Sequence, residues 1–161
     1  MFFEVAKVMK ANDGRQAMTE VQEPITRTPE SGSLSNPEAF ADPAIAARHF
    51  ESRLAFETDC WDVSDALRRG VRGFVVLDVR SPTHYAAGHV PGAINLPHGR
   101  IVERNLEAYP ADTLFVTYCN GPHCNGADRG ALRLARLGRR GKVMIGGIEG
   151  WKDEGLGLES A

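Results

Sequence analysis

Cysteine is scarce in this chain. Three residues, Cys60, Cys119 and Cys124, are spread over 161 positions. An odd and thinly scattered set cannot staple a small secreted domain, so the expectation is a cytoplasmic protein with reduced thiols. Long apolar runs are missing too. No stretch is long enough to span a bilayer, which argues against a membrane partner. Nor does charge of one sign dominate. Nineteen Lys and Arg face 21 Asp and Glu, a net charge of −2, so no overall field calls for nucleic acid or an anionic membrane surface. The first ten residues are broken by charges and do not read as a secretory signal. Glu4, Asp13, Glu20 and Glu23 likewise spoil an Arg-rich transit peptide. No internal repeat is visible. With 42% hydrophobic and 25% charged residues, what remains has the composition of an ordinary globular chain.

The order of the chain divides it in two. Residues 1–41 carry little periodic hydrophobicity, and residues 26–37 are rich in Pro, Ser and Gly. Such a segment buries little, so a flexible tail is expected, with at most a transient helix near residues 3–9. A single domain is expected over residues 42–161. Asp42 followed by Pro43 is a helix start, and Ile45, Phe50, Leu54 and Ala55 follow at roughly helical spacing. Further helices are expected at 61–69, 100–106 and 127–137, and a short one after the glycines at 146–150. Apolar runs at 74–79, 93–96, 113–118 and 142–145 read as strands. Alternating strands and helices imply an α/β domain with a mainly parallel sheet. Ligands of such sheets sit beyond the carboxyl ends of the strands.

One strand ends in chemistry. The run Leu114-Phe115-Val116-Thr117-Tyr118 delivers Cys119 into the loop Asn120-Gly121-Pro122-His123-Cys124-Asn125-Gly126, and a helix follows. Loop amides and the positive end of a helix dipole then converge on the sulfur. Such surroundings lower a thiol pKa from about 8.5 towards neutrality, and the thiolate is the nucleophile.

Three further motifs accompany it. Leu77-Asp78-Val79-Arg80 closes the first strand run. Tyr85-Ala86-Ala87-Gly88-His89-Val90-Pro91-Gly92-Ala93-Ile94-Asn95-Leu96-Pro97 follows, and Gly146-Gly147-Ile148-Glu149-Gly150-Trp151 comes last. In this order, over about residues 50–158, the motifs resemble the rhodanese domain in its single-domain form. The resemblance implies a three-layer α/β sandwich with helices on both faces of the sheet. It implies a sulfurtransferase in which Cys119 accepts sulfane sulfur as a persulfide and passes it to a thiophilic acceptor. The donor would be thiosulfate or a persulfide, and the acceptor cyanide, a small thiol or a protein thiol. No metal or organic cofactor is implied. Backbone N–H groups of Asn120, Gly121, His123, Cys124, Asn125 and Gly126, with Pro122 shaping the turn, would cradle the anionic sulfur, as an oxyanion hole cradles oxygen.

The loop departs from the commonest pattern of the family, because it holds no basic residue except His123. In the related phosphatases an Arg stands six positions after the Cys. Here that position is Asn125, and without a bidentate clamp phosphoryl transfer is not expected. Cys124 has two readings: it packs at the loop end, or it resolves a persulfide or sulfenic acid on Cys119 as a disulfide. The latter would make a thiol switch. Cys119, His123 and Cys124 lack the second ligand pair that zinc usually requires. Asp78 and Arg80 read as a charge-assisted network supporting nearby loops. His84, His89 and His98 read as packing or turn residues, and Trp151 as a core anchor. Arg129, Arg133, Arg136, Arg139, Arg140 and Lys142 form a basic run after the loop. It is either a solvated face or a patch for anionic donors or an acidic protein. A non-catalytic docking module of the same family is the rival reading.

Overall fold

Asp42 and Pro43 start the first helix, as their chemistry dictates. In a computed structural model, which describes residues 40–160, the Asp42 carboxylate accepts the N–H groups of Ala44 and Ile45 at 2.9 and 3.4 Å. The expected tail, apart from its last two residues, lies outside the described residues, as does the helix expected near residues 3–9. Helix α1 (Pro43–Phe56) is followed by a two-residue strand β1 (Glu57–Thr58) and helix α2 (Cys60–Arg68), which Asp59 caps. Then come β2 (Phe74–Asp78), α3 (Pro82–Ala87) and β3 (Ile94–Asn95). The last elements are β4 (Leu114–Tyr118), α4 (Gly126–Arg136), β5 (Arg140–Met144) and α5 (Gly147–Asp153).

The five strands form one sheet in the order β1-β5-β4-β2-β3. Every pairing is parallel, with Val76 opposite Val116 and Asp78 opposite Tyr118. Alternate strand residues serve opposite faces, as the pleat requires. Val76, Val116, Tyr118 and Met144 pack with Cys60 and Val63 of α2 and with Ile148 and Trp151 of α5. Leu77 and Phe115 pack on the other side with Ala127 and Leu134 of α4. Helices therefore cover both faces of a fully parallel sheet, the α/β architecture expected.

Three local expectations differ. The helix expected over 100–106 is instead two 3₁₀ turns, His98–Arg100 and Glu103–Asn105. Ile101 and Leu106 are both buried against the sheet, yet five residues of α-helix would set them roughly 140° apart. The chain breaks between them so that both reach the core. Helix α1 buries no residue, and Ile45, Phe50 and Leu54 are exposed. Ile45 and Phe50 share the same five-residue spacing, so no single stripe collects them. Strand β1 and helix α3 are additions. The first is too short to show a period, although Ser81 and Pro82 do mark the start of the second.

A buried polar network ties the carboxyl edge of the sheet together. Asp78 and Tyr118 are fully buried and Arg80 nearly so. The Arg80 guanidinium grips Asp78 through Nη2 at 2.5 Å and through Nε at 3.0 and 3.1 Å. It also donates to the Gly88 carbonyl at 2.8 Å. Tyr118 donates to Asp78 at 2.7 Å and accepts the Val90 N–H at 3.1 Å. Burial, and then the Asp78 charge, push the Tyr118 phenol well above its ordinary range, so it stays a donor. Burial would lower the Arg80 pKa, but the hydrogen bond and charge of Asp78 outweigh it and the net shift is upward.

Helix α5 docks directly on the end of β4. Its first-turn amides, which have no intrahelical acceptor, bond outward. Ile148 donates to the Cys119 carbonyl at 3.0 Å and Glu149 to that of Asn120 at 2.9 Å. Gly147 makes this possible. Its φ is +60°, and a Cβ there would lie 2.6 Å from the Cys119 carbonyl oxygen.

Two stability measurements test this arrangement. Asp78→Ala strands the buried Arg80 charge and should lower the unfolding free energy in urea by about 3–5 kcal/mol. Tyr118→Phe should cost about 1–2 kcal/mol. A loss below about 1 kcal/mol for Asp78→Ala would deny the network its role. Gly147→Ala should cost at least about 2 kcal/mol, because a left-handed residue and a backbone clash coincide. Gly155→Ala, at φ +69° with open space around it, should cost only about 1–2 kcal/mol. Equal losses at the two glycines would mean that the close approach at Gly147 contributes nothing.

Candidate active site

Cys119 follows the last residue of β4 and is 6% exposed. The loop then turns sharply, with the Cys124 N–H donating to the Gly121 carbonyl at 3.0 Å. Gly126 opens α4, and a Cβ on it would lie 2.8 Å from the Cys119 sulfur and 3.3 Å from that of Cys124. Only glycine lets the helix start this close to both sulfurs. Thr117 fastens the same helix start to the strand by donating to the Ala127 carbonyl at 3.0 Å.

The residues expected to form a cradle divide by what their amides do. Pro122 has no N–H, and that of Cys124 is spent on the turn. Among the described residues, the amides of Asn120, Gly121, His123, Asn125, Gly126, Ala127 and Asp128 have no protein acceptor. The Asn125 side chain does not cap α4. The N-terminus of an uncapped helix therefore opens beside Cys119, the setting in which anions are held. His123 is exposed.

Cys119 and Cys124 are joined by a disulfide, with Cα atoms 6.3 Å apart. Two of the three thiols expected to be reduced are thus bonded here, because the turn at Gly121 brings Cys124 back to Cys119. Cys60 remains free and is 1% exposed. Its sulfur lies 3.5 Å from the carbonyls of Ile145 and Gly147. Burial, and then the charges of Glu154 and Asp59, raise its pKa to about 11, so it is a neutral structural thiol.

A cavity of about 380 Å³ opens at the sulfurs, lined also by Gly121, Asp128, Gly146 and Gly147 and by Arg53 and Glu57. Arg53 is a basic residue lining this cavity that sequence reasoning missed. It lies on α1, far from Cys119 in the chain, and the β1–β5 pairing, with Lys142 holding the Leu54 carbonyl, brings that end of α1 to the site. Arg53 donates to Glu57 at 2.8 and 3.1 Å, and its side chain is half exposed. Gly147, Ile148 and Glu149 were legible as a motif, but nothing in their order told that they hold the loop backbone.

The remaining candidates fall elsewhere. Asp78 and Arg80 are in the buried network. His84 meets Ser81 at 2.7 Å, and His89 stacks on Tyr85 with ring centroids 3.7 Å apart. In the basic run, Arg139 donates to the carbonyls of Leu106, Tyr109 and Pro110, and Lys142 to that of Leu54. Arg129, Arg133 and Arg136 instead line a groove with His98 and Ile101. Trp151 is buried and donates to the Gly157 carbonyl at 2.8 Å. Among the described residues no group of three or more His, Cys, Asp or Glu could hold a metal, and no helix is long and apolar enough to cross a membrane.

Comparison with known proteins agrees with this geometry. A family model for the rhodanese-like domain matches residues 62–154. A protein of Mycobacterium tuberculosis named as an HTH-type transcriptional regulator is 38% identical over 124 residues. That match takes in 76% of this chain and 53% of the relative, so the chain spans about half of the regulator's length. Thiosulfate sulfurtransferase GlpE of Pseudomonas entomophila is 37% identical over 90 residues, 54% of this chain and 78% of that protein. A crystal structure from Bacillus halodurans superimposes with a TM-score of 0.72 at 39% identity, covering 74% of this chain and 87% of the other. With more than half of the chain matched by the family model, and with the all-parallel sheet and cysteine loop described above, the chain belongs to the rhodanese family.

Proposed function

We propose that this chain is a sulfurtransferase that carries sulfane sulfur as a persulfide on Cys119. The observation that carries the reading is the set of free amides around Cys119 at the uncapped start of α4. The Cys119 thiolate attacks the outer sulfur of thiosulfate, the S–S bond breaks, and sulfite leaves with the electron pair. A persulfide donor reacts in the same way and leaves a thiolate. The terminal sulfur is anionic, and the loop amides with the α4 dipole stabilise it without reorganising. Cyanide or a thiol, small or on a protein, then takes the sulfur. Arg53 lines the cavity at the sulfurs, and leaving Glu57 for an anionic donor would give it a charge-assisted contact. The chemistry needs no metal or organic cofactor. The domain doing it spans residues 42–161, with residues 1–41 as a tail, and works in the cytoplasm.

A second reading is favoured by the relative named as a transcriptional regulator. In that reading the domain is a regulatory or docking module, and the exposed Arg129, Arg133 and Arg136 meet an acidic partner. A binding function that survives Cys119→Ser would select it.

Thiocyanate formation from thiosulfate and cyanide, or from a small-molecule persulfide and cyanide, tests the first reading on the reduced protein. Thiocyanate should form with the wild type and not with Cys119→Ser; formation by both would reject Cys119 as carrier. Arg53→Ala should raise KM for thiosulfate roughly three- to tenfold, the size of a partly exposed charge-assisted contact, with kcat little changed. An unaltered KM would remove Arg53 from donor binding.

A further inference from the structure

We propose that Cys124 is a resolving cysteine that turns this site into a sulfane-sulfur reductase, releasing the sulfur carried by Cys119 as hydrosulfide. The inference rests on the persulfide chemistry proposed above and adds a second product to it. Three observations carry it. The two sulfurs are bonded, across a Cα separation of 6.3 Å that lies within the span of protein disulfides. The turn from Gly121 to Cys124 aims the second cysteine back at the first. Gly126 clears space for both sulfurs at once, since one added Cβ would meet both. Both cysteines also line the open cavity, so an external thiol can reach the bridge. Cys60 does not compete: it is buried, held against two carbonyls and disfavoured as a thiolate.

The step balances. The Cys124 thiolate attacks the inner sulfur, Sγ of Cys119, which is the atom the structure shows within its reach. The bond between Sγ and the sulfane sulfur breaks, and that sulfur leaves with the electron pair, taking one proton as HS⁻. The sulfane sulfur is reduced by two electrons, and the two cysteines are oxidised to the disulfide. A dithiol reductant then exchanges with the bridge, is itself oxidised to a disulfide, and restores both thiols. With a dithiol present the cycle consumes thiosulfate and dithiol and yields sulfite, hydrosulfide and an oxidised dithiol. With thiosulfate as donor and no thiol present, each chain turns over once.

The test uses the full chain, reduced and freed of reductant, with thiosulfate in one arm and glutathione persulfide in the other. Hydrosulfide is quantified and intact mass recorded. In the thiosulfate arm the expected wild-type result is one hydrosulfide per chain, loss of two hydrogens and no retained sulfur; turnover repeats once dithiothreitol is added, and in the persulfide arm as glutathione accumulates. Cys124→Ser and Cys124→Ala should retain one added sulfur, release no hydrosulfide in the absence of thiol, and yield thiocyanate with cyanide. A wild type that keeps its added sulfur and forms no disulfide would overturn the inference and leave the sulfurtransferase reading standing. Hydrosulfide release from thiosulfate, before any thiol is added, that is unchanged in both variants would overturn it in the same way. If folded wild type and both variants yield neither added sulfur, thiocyanate nor hydrosulfide from either donor, the sulfurtransferase reading fails, and this inference fails with it.

Discussion

The carboxyl edge of this sheet depends on one buried carboxylate. Asp78 has no access to water, so its charge must be met inside the protein. Arg80 and Tyr118 meet it, and each brings another piece of chain along. Arg80 holds the Gly88 carbonyl, and Tyr118 holds the Val90 amide. Asp78 closes β2 and Tyr118 closes β4, directly opposite each other in the parallel register. The next residue is Cys119. The placement of the sulfur thus follows from the satisfaction of a charge on the neighbouring strand, more than from anything within its own loop.

The loop is held by two helices that use their N-termini differently. Helix α5 spends its first amides on the carbonyls of Cys119 and Asn120, which fixes the loop backbone. Helix α4 leaves its first amides without protein acceptors, the arrangement in which helix starts can hold anions. The proposed sulfur transfer would use both: a rigid backbone under the sulfur, and donors still free beside it. The second cysteine sits within this frame without disturbing it, because its own amide is used in the turn.

The same corner of the fold sets the character of the remaining thiol. Cys60 lies against the glycine-rich turn, with its sulfur near Gly146, Gly147 and Gly150. Burial makes it a small apolar filler there. Cys60 and Cys119 therefore stand in different surroundings. One is embedded among carbonyl oxygens and acids, the other at a helix start rich in N–H groups.

Much of this was legible in the order of residues. Strands β2 and β4, the cap at Asp42, the helix after the loop and the glycine corner all rest on local rules of period, capping and turn chemistry, so the sequence alone determined the α/β class and singled out Cys119. Interactions between distant segments carry no such local signature. The break of the 100–106 segment was decided by where the sheet needed Ile101 and Leu106. The arrival of Arg53 at the cavity was decided by the pairing of β1 with β5. The support of the loop by Gly147 was decided by how closely α5 approaches β4. The joining of Cys119 to Cys124 was decided by the path of the loop between them, since spacing alone allows two cysteines to face together or apart. Tertiary packing settles these matters because each depends on filling and satisfying one shared interior, which no single stretch of sequence contains.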